Sequence, residues 1–140
     1  MRIALKLLLL LSLLATAASA SALGSRQRAK LQETQDAYAE AVRWGDFESA
    51  VRFVEPAYAE QNPVGEFELG RYEQIQVSGY RELNTNVEPD GTVVRSIEVR
   101  VINKHTQAER TLRYRERWSW NVTDKRWWLV GGLPDFWQGQ

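Results

Sequence analysis

The sequence predicts an α+β fold in which an N-terminal helical hairpin packs on one face of an antiparallel four-stranded sheet. Residues 26–55 have a helix-forming composition with apolar positions at helical spacing. Much of the chain from residue 67 to residue 131 instead alternates apolar and polar residues with a period of two, which indicates β-strands. Because the helices come first and the strands last, the two layers should be segregated rather than interleaved.

The first residues have the composition of a secretory signal peptide. Arg2 and Lys6 form a basic start, residues 7–14 are apolar apart from one serine, and residues 18–20 are small, as a cleavage site requires. An uncleaved anchor helix is the alternative, although the apolar run is short for a bilayer span. The predicted organisation is a signal peptide over residues 1–20, a linker over 21–25 and a single α+β domain over 26–140.

Composition narrows the function classes. Loss of Arg2 and Lys6 with the signal peptide leaves 16 basic and 18 acidic residues, a net charge of −2. General nucleic-acid-binding proteins are instead strongly basic, so this class is excluded. The chain has no cysteine and therefore no disulfide framework. A domain of about 120 residues can be stable through core burial alone. We therefore expect export, with the bacterial periplasm as the favoured compartment, no nucleic-acid partner, and no transmembrane segment after signal cleavage.

The helical half contains a recognisable boundary. The first predicted helix, residues 26–44, carries a narrow apolar stripe that includes Tyr38. Gly45 is expected to end this helix, and Asp46 is expected to cap a second helix over residues 46–55.

Four strands are predicted near residues 67–83, 92–103, 108–121 and 126–131. The first should place Ile75, Val77 and Leu83 on one face. A loop centred on His105 joins the second strand to the third, and a turn over residues 122–125 joins the third to the fourth.

Burial of the apolar faces fixes the register of the second and third strands, since a one-residue slip would expose an entire apolar set. The predicted pairs are Val93–Trp118, Ile97–Tyr114 and Val99–Leu112 on the apolar face, and Glu98–Arg113 on the other face. The same register places Arg95 opposite Glu116 in the middle of the apolar face. Two such charges should either pair or line a wet cavity, and we expect the pair. Exchanging both for apolar residues is then expected to be nearly neutral.

Few groups are candidates for catalysis. The chain has no cysteine and one histidine, His105, in a predicted turn, so thiol catalysis, histidine-based triads and transition-metal sites lack their residues. We expect no metal and no cofactor. Glu116, with Tyr114 and Tyr38, is the candidate acid–base set, because a carboxylate in apolar surroundings is suited to proton transfer. A purely structural ion pair is the favoured alternative.

Two surfaces are candidates for binding. The predicted ligand-binding residues on the aromatic face are Tyr38, Arg95, Tyr114, Glu116, Trp118 and Trp120. The opposite face carries Arg113, Arg115 and Arg117, the predicted partner-binding residues. Residues 46–90 carry 10 acidic and three basic side chains, net −7, whereas residues 91–126 carry nine basic and four acidic ones, net +5. The arginines therefore form either a solvated face or a docking surface for an acidic partner, an anionic glycan or lipid headgroups.

The order of elements resembles that of the NTF2-like (cystatin-like α+β cone) superfamily over about residues 26–137. The motifs that carry the resemblance are the Ala41–Asp46 helix exit, the Phe53–Pro56 segment, and the tryptophan-ending strand Tyr114–Trp120 followed by Trp127–Leu129. The resemblance implies a curved sheet wrapped around the first helix, with a cone-shaped cavity in which enzymes of the superfamily use carboxylates and tyrosines. The chain departs from the superfamily in having only a short third helical turn, predicted over residues 57–60, and few early strands, so a flat meander carrying a helical hairpin is the alternative.

Taken together, these features predict a non-enzymatic envelope module that binds a protein partner or a small apolar ligand through its tryptophan-rich sheet. The alternative is a cofactor-independent lyase or isomerase of the NTF2-like type that uses Glu116 as its acid–base residue. The sequence leaves the ligand, the partner and the oligomeric state open, and a homodimer is among the alternatives.

Overall fold

The computed structural model describes residues 23–138, so the predicted signal peptide lies outside the described residues. Within this range four helices come first, namely α1 (Ser25–Trp44), α2 (Phe47–Val51), α3 (Pro56–Gln61) and α4 (Glu66–Tyr72). Four strands follow, namely β1 (Ile75–Val87), β2 (Val93–Asn103), β3 (Glu109–Asn121) and β4 (Arg126–Leu129). They form one antiparallel sheet in the order β1-β2-β3-β4. The predicted α+β class, with helices before a four-stranded antiparallel sheet, is confirmed.

The boundary between α1 and α2 forms as the sequence predicts. Gly45 adopts the left-handed conformation, with φ of 73°, and ends α1. The Asp46 carboxylate accepts the backbone N–H of Ser49 at 3.0 Å and so caps α2. The second helix is shorter than predicted because the chain leaves it to meet the sheet. The Glu55 N–H donates to the carbonyl of Leu129 at 2.9 Å, at the end of β4.

The prediction of a strand beginning near residue 67 was wrong. Residues 66–72 form α4, and β1 begins only at Ile75. The Glu68 carboxylate accepts the Gly65 N–H at 3.1 Å, which stabilises the first turn of this helix. Tyr72, at the other end of α4, is buried and donates its hydroxyl to the carbonyl of Pro134 at 2.7 Å. Tertiary contact with the C-terminal segment therefore supports the helix.

Two β-bulges change which side chains of β1 face the core. The register shifts between Val77 and Gly79 and again between Glu82 and Asn84. Tyr80 consequently pairs with Val99 on the core face. Leu83, which was predicted to share the face of Ile75 and Val77, is not paired and stays 38% exposed. That part of the prediction was wrong because an alternating pattern cannot show an inserted residue.

The predicted register of β2 and β3 is confirmed at every pair. The observed partners include Val93–Trp118, Arg95–Glu116, Ile97–Tyr114, Glu98–Arg113 and Val99–Leu112. The last hairpin turns over residues 122–125, as predicted, because Asn121 pairs with Arg126. In this register Trp127 lies on the core face, opposite Trp120, and Trp128 lies on the other face, opposite Ser119.

The hydrophobic core lies between the helices and one face of the sheet. Its fully or nearly fully buried members include Tyr38, Val42 and Phe47 from the helices, Ile97, Val99, Trp118, Trp127 and Leu129 from the strands, and Phe136 from the C-terminal segment. The opposite face of the sheet carries exposed arginines. The two layers therefore give the sheet one apolar face and one charged face.

Candidate functional site

A buried polar cluster surrounds Glu116 on the core face of β3. Arg95 donates to Glu116 Oε2 from Nε at 3.1 Å and from Nη2 at 2.7 Å. Trp118 Nε1 donates to the same oxygen at 3.1 Å. The hydroxyls of Tyr80 and Tyr114 donate to Oε1, the latter at 3.1 Å. Glu116 and Arg95 are 2% and 4% exposed, so the predicted pair across adjacent strands is confirmed and is buried.

Both carboxylate oxygens of Glu116 are occupied by protein donors. Arg95 Nη2 also donates to the Tyr80 hydroxyl at 2.9 Å, and Arg95 Nη1 lies 3.5 Å from a Glu82 carboxylate oxygen. The cluster thus joins β1, β2 and β3 through side chains as well as through backbone pairing. A buried charge is tolerable only when it is paired and hydrogen-bonded, and this arrangement meets that condition.

Sequence reasoning missed Tyr80. Counting alternate positions from Ile75 places Tyr80 on the outer face, and only the bulge after Val77 turns it inward to Glu116. The available signal was Gly79 within a predicted strand, since glycine there often marks a bulge or a close approach. A Cβ at Gly79 would meet Arg100 Nε at 2.8 Å.

The tyrosines beside Glu116 remain protonated at neutral pH. Tyr38 on α1 is fully buried, and burial, followed by the nearby charge of Glu116, raises the pKa of its phenol well above the ordinary value. Burial likewise raises the pKa of Tyr80 and Tyr114. The Tyr38 hydroxyl has no hydrogen-bond partner among residues 23–138. As neutral phenols, these groups can donate hydrogen bonds but are poor bases.

Five of the six predicted ligand-binding residues meet in this part of the core, namely Tyr38, Arg95, Tyr114, Glu116 and Trp118. Trp118 is 0% exposed, and the Tyr38 ring packs edge-on against it at 5.4 Å. Trp120 lies apart, beside Trp127 at 5.7 Å and under the ammonium of Lys30. Binding a ligand among the five would require this packing to open, and their ligand-binding role stays a prediction.

The arginines of the outer face are exposed and unevenly paired. Glu98 accepts from Arg81 at 2.7 Å and from Arg113 at 2.9 Å, and these hydrogen bonds hold the pKa of Glu98 below its ordinary value. Arg117 pairs with Glu88 at 2.8 Å, and this carboxylate raises the pKa of Arg117. Arg115 forms no ion pair within the described part of the chain.

Strand residues of this face carry an excess of positive charge. The arginines are Arg81, Arg100, Arg113, Arg115, Arg117 and Arg126, and the carboxylates are Glu98 and Glu109. Six guanidinium groups against two carboxylates leave a local charge of +4, which Glu88 and Asp90, the two carboxylates that act on Arg117, reduce to +2. The face is therefore attractive to anions at its centre, near Arg115.

The structure also contains a cavity that the sequence did not predict. A cavity of about 450 Å³ lies between α3, α4 and the segment after β4, with Tyr58, Tyr72 and Trp137 in its wall. It was missed because α4 was assigned to a strand and the residues after 131 to no element. The Gly65–Glu68 spacing, which resembles a helix-start signal, could have indicated it.

Two features are absent from the described residues. Between residues 23 and 138 no three His, Asp or Glu side chains are grouped in a way that would hold a metal ion. None of the helices in that range has the length and apolar composition of a membrane-crossing segment.

Comparison of the chain with protein-family models, with curated proteins and with solved structures found no match in any of the three. The NTF2-like resemblance therefore stays a prediction based on element order and local motifs.

Replacing Glu116 should test whether the cluster is structural. Glu116→Ala leaves Arg95 buried and poorly compensated, so we expect the free energy of unfolding to fall by about 3–5 kcal/mol. Chemical denaturation followed by tryptophan fluorescence would measure it. A decrease in the free energy of unfolding of less than about 1 kcal/mol would instead show that water reaches the site and replaces the lost carboxylate.

The double variant Arg95→Met/Glu116→Leu is the matched comparison. The sequence-based expectation of a nearly neutral exchange changes, because Tyr80, Tyr114 and Trp118 would each keep a donor without an acceptor. We expect the double variant to lie between the wild type and Glu116→Ala in stability. A double variant no more stable than the single one would contradict the buried ion pair.

The buried tyrosines predict a steep alkaline transition. Unfolded tyrosines ionise near pH 10, whereas Tyr38, Tyr72, Tyr80 and Tyr114 have raised pKa values in the fold. Their contribution is complete below about pH 10 and is lost above it, by up to about 1.4 kcal/mol per pH unit for each tyrosine. Tyr38→Phe should reduce the slope of stability against pH above pH 10 by the contribution of one tyrosine, up to about 1.4 kcal/mol per pH unit. Denaturation curves at several alkaline pH values would check it, and an unchanged slope would contradict the assignment.

Proposed function

We propose that this protein is a non-enzymatic binding module of the cell envelope, and that its partner is an acidic protein surface or segment that docks on the arginine-bearing face of the sheet. The observation that carries the proposal is the excess of exposed guanidinium groups on this face, with Arg115 unpaired at its centre among the described residues. Export to the envelope is part of the proposal, supported by the composition of residues 1–20.

The enclosure of Glu116 supports a binding role over catalysis. A general acid or base must reach a proton on a substrate, directly or through one water. Glu116 is 2% exposed and accepts from Arg95, Trp118, Tyr80 and Tyr114. A substrate would have to displace these donors. The lyase or isomerase alternative therefore requires an opened form of the domain. Docking of a partner on the outer face requires no rearrangement.

The geometry of the outer face suits an extended acidic partner. Arg113, Arg115 and Arg117 alternate along β3 and all point outward, so their side chains form a row. Guanidinium groups bind carboxylates in a bidentate manner, which gives direction as well as charge. The side chains of Arg113 and Arg117 are 72% and 47% exposed, so an incoming carboxylate could reach either one.

A titration with an acidic polypeptide tests the proposal. Fluorescently labelled poly-L-glutamate should bind the protein at low ionic strength, and binding should weaken as salt is added. Replacing two arginines, as Arg113→Gln/Arg115→Gln, should weaken binding by about five- to tenfold. Fluorescence anisotropy would give the dissociation constants.

The matched control removes the same charge elsewhere. Arg26 and Arg28 are exposed on α1, and Arg26→Gln/Arg28→Gln should change the affinity by less than about twofold. Equal losses in the two double variants would show only a general charge effect and would contradict docking on the sheet. Tighter binding to vesicles of phosphatidylglycerol than to the polypeptide would overturn the protein partner in favour of a lipid surface.

A further inference from the structure

The cavity between α3, α4 and the C-terminal segment is formed in the described structure without any rearrangement. Its volume of about 450 Å³ falls in the range of small-molecule sites. Apolar side chains dominate the wall, among them Val51, Val54, Ala59 and Leu133. Two helices that are close in the sequence and the distant segment after β4 thus build one mainly apolar cavity.

The charges around the cavity decide the charge of its ligand. The lining includes one cation, Arg71, and two carboxylates, Glu68 and Asp135. Each carboxylate already accepts a backbone N–H, that of Gly65 at 3.1 Å for Glu68 and that of Trp137 at 2.9 Å for Asp135. The lining sums to a charge of −1. An anionic ligand would be repelled on balance, and a ligand of either charge would lose hydration against the apolar walls, so these walls favour a neutral ligand.

The side chains of Arg71 and Tyr58 are among the hydrogen-bond donors of the lining that are unused within residues 23–138. The Arg71 guanidinium lies 4.0 Å from the centre of the Trp137 ring and donates to no described oxygen. The Tyr58 hydroxyl likewise donates to no described group, whereas the Tyr72 hydroxyl is already used on Pro134. Stacking on Trp137 orients the guanidinium group and leaves its N–H groups available.

We infer that this cavity binds an uncharged, mainly apolar small molecule that carries a hydrogen-bond acceptor such as a carbonyl group. The apolar walls take up the body of the ligand, and Tyr58 and Arg71 donate to its acceptor. This site lies on other elements than the outer face of the sheet, and it stands independently of the acidic partner proposed above.

Two neutral naphthalene dyes of similar size test the inference. Prodan carries a carbonyl acceptor, and N-phenylnaphthylamine does not. Both dyes should bind the full domain saturably. Filling the cavity by Ala59→Trp should lower the affinity for both dyes by at least about tenfold. The control Ala57→Trp adds the same ring to an exposed position of α3, and it should change the affinity by less than about twofold.

The acceptor is tested separately. Tyr58→Phe should lower the affinity for prodan by about two- to tenfold and leave the affinity for N-phenylnaphthylamine unchanged. Circular dichroism would check folding, and Val64→Trp, in the loop that lines the cavity, replaces Ala59→Trp if that variant does not fold.

Three outcomes would overturn the inference. The first is no saturable binding to the wild type, or equal affinity in Ala59→Trp and Ala57→Trp. The second is a Tyr58→Phe effect on both dyes or on neither. The third is tighter binding of the sulfonated form of N-phenylnaphthylamine than of the neutral dye, which would show that the site prefers an anion.

Discussion

The fold depends on how the charge pair Arg95–Glu116 is accommodated in an otherwise apolar layer. Two charges removed from water are costly, and their attraction offsets that cost only if the remaining hydrogen-bonding positions are filled. Tyr80, Tyr114 and Trp118 fill them at Glu116. The requirement extends beyond the pair, because the three strands that supply these side chains must keep one register for the cluster to close. A slip of one residue would turn Glu116 to the solvent face and leave Arg95 buried alone.

This constraint separates the roles of the two sheet faces. On the core face the charges are satisfied internally, and the adjacent aromatic side chains are packed against α1. On the outer face the arginines outnumber the carboxylates and remain in water. The apolar cavity is built elsewhere, by α3, α4 and the segment after β4. The two proposed binding sites therefore lie on different parts of one small domain, and neither uses the hydrogen-bonded cluster around Glu116.

The sequence predicted the features that depend on alternating apolar residues and on residues that end or begin a helix. The β2–β3 register followed from two strictly alternating strands, and the α1–α2 boundary followed from Gly45 and Asp46. The helix α4 was missed because Phe67 and Leu69 alternate with glutamates as a strand would, although Phe67 is 77% exposed. The bulges of β1 were missed because an alternating pattern does not show an inserted residue, although Gly79 was a local signal of the first one. The place of Tyr80 in the cluster was missed with the first bulge, and the cavity was missed with α4.

The exchange rate of the Arg95 side-chain protons tests most directly whether the cluster is dry and closed. In ¹⁵N-resolved NMR spectra, the Nε–H of Arg95 should give a separate signal. It should exchange with solvent at least about a hundredfold more slowly than that of the exposed, unpaired Arg115, because exchange requires the cluster to open. Equal exchange rates for the two arginines would show that water reaches Glu116 freely. That result would contradict the structural role of the pair and favour a solvent-accessible, catalytic Glu116.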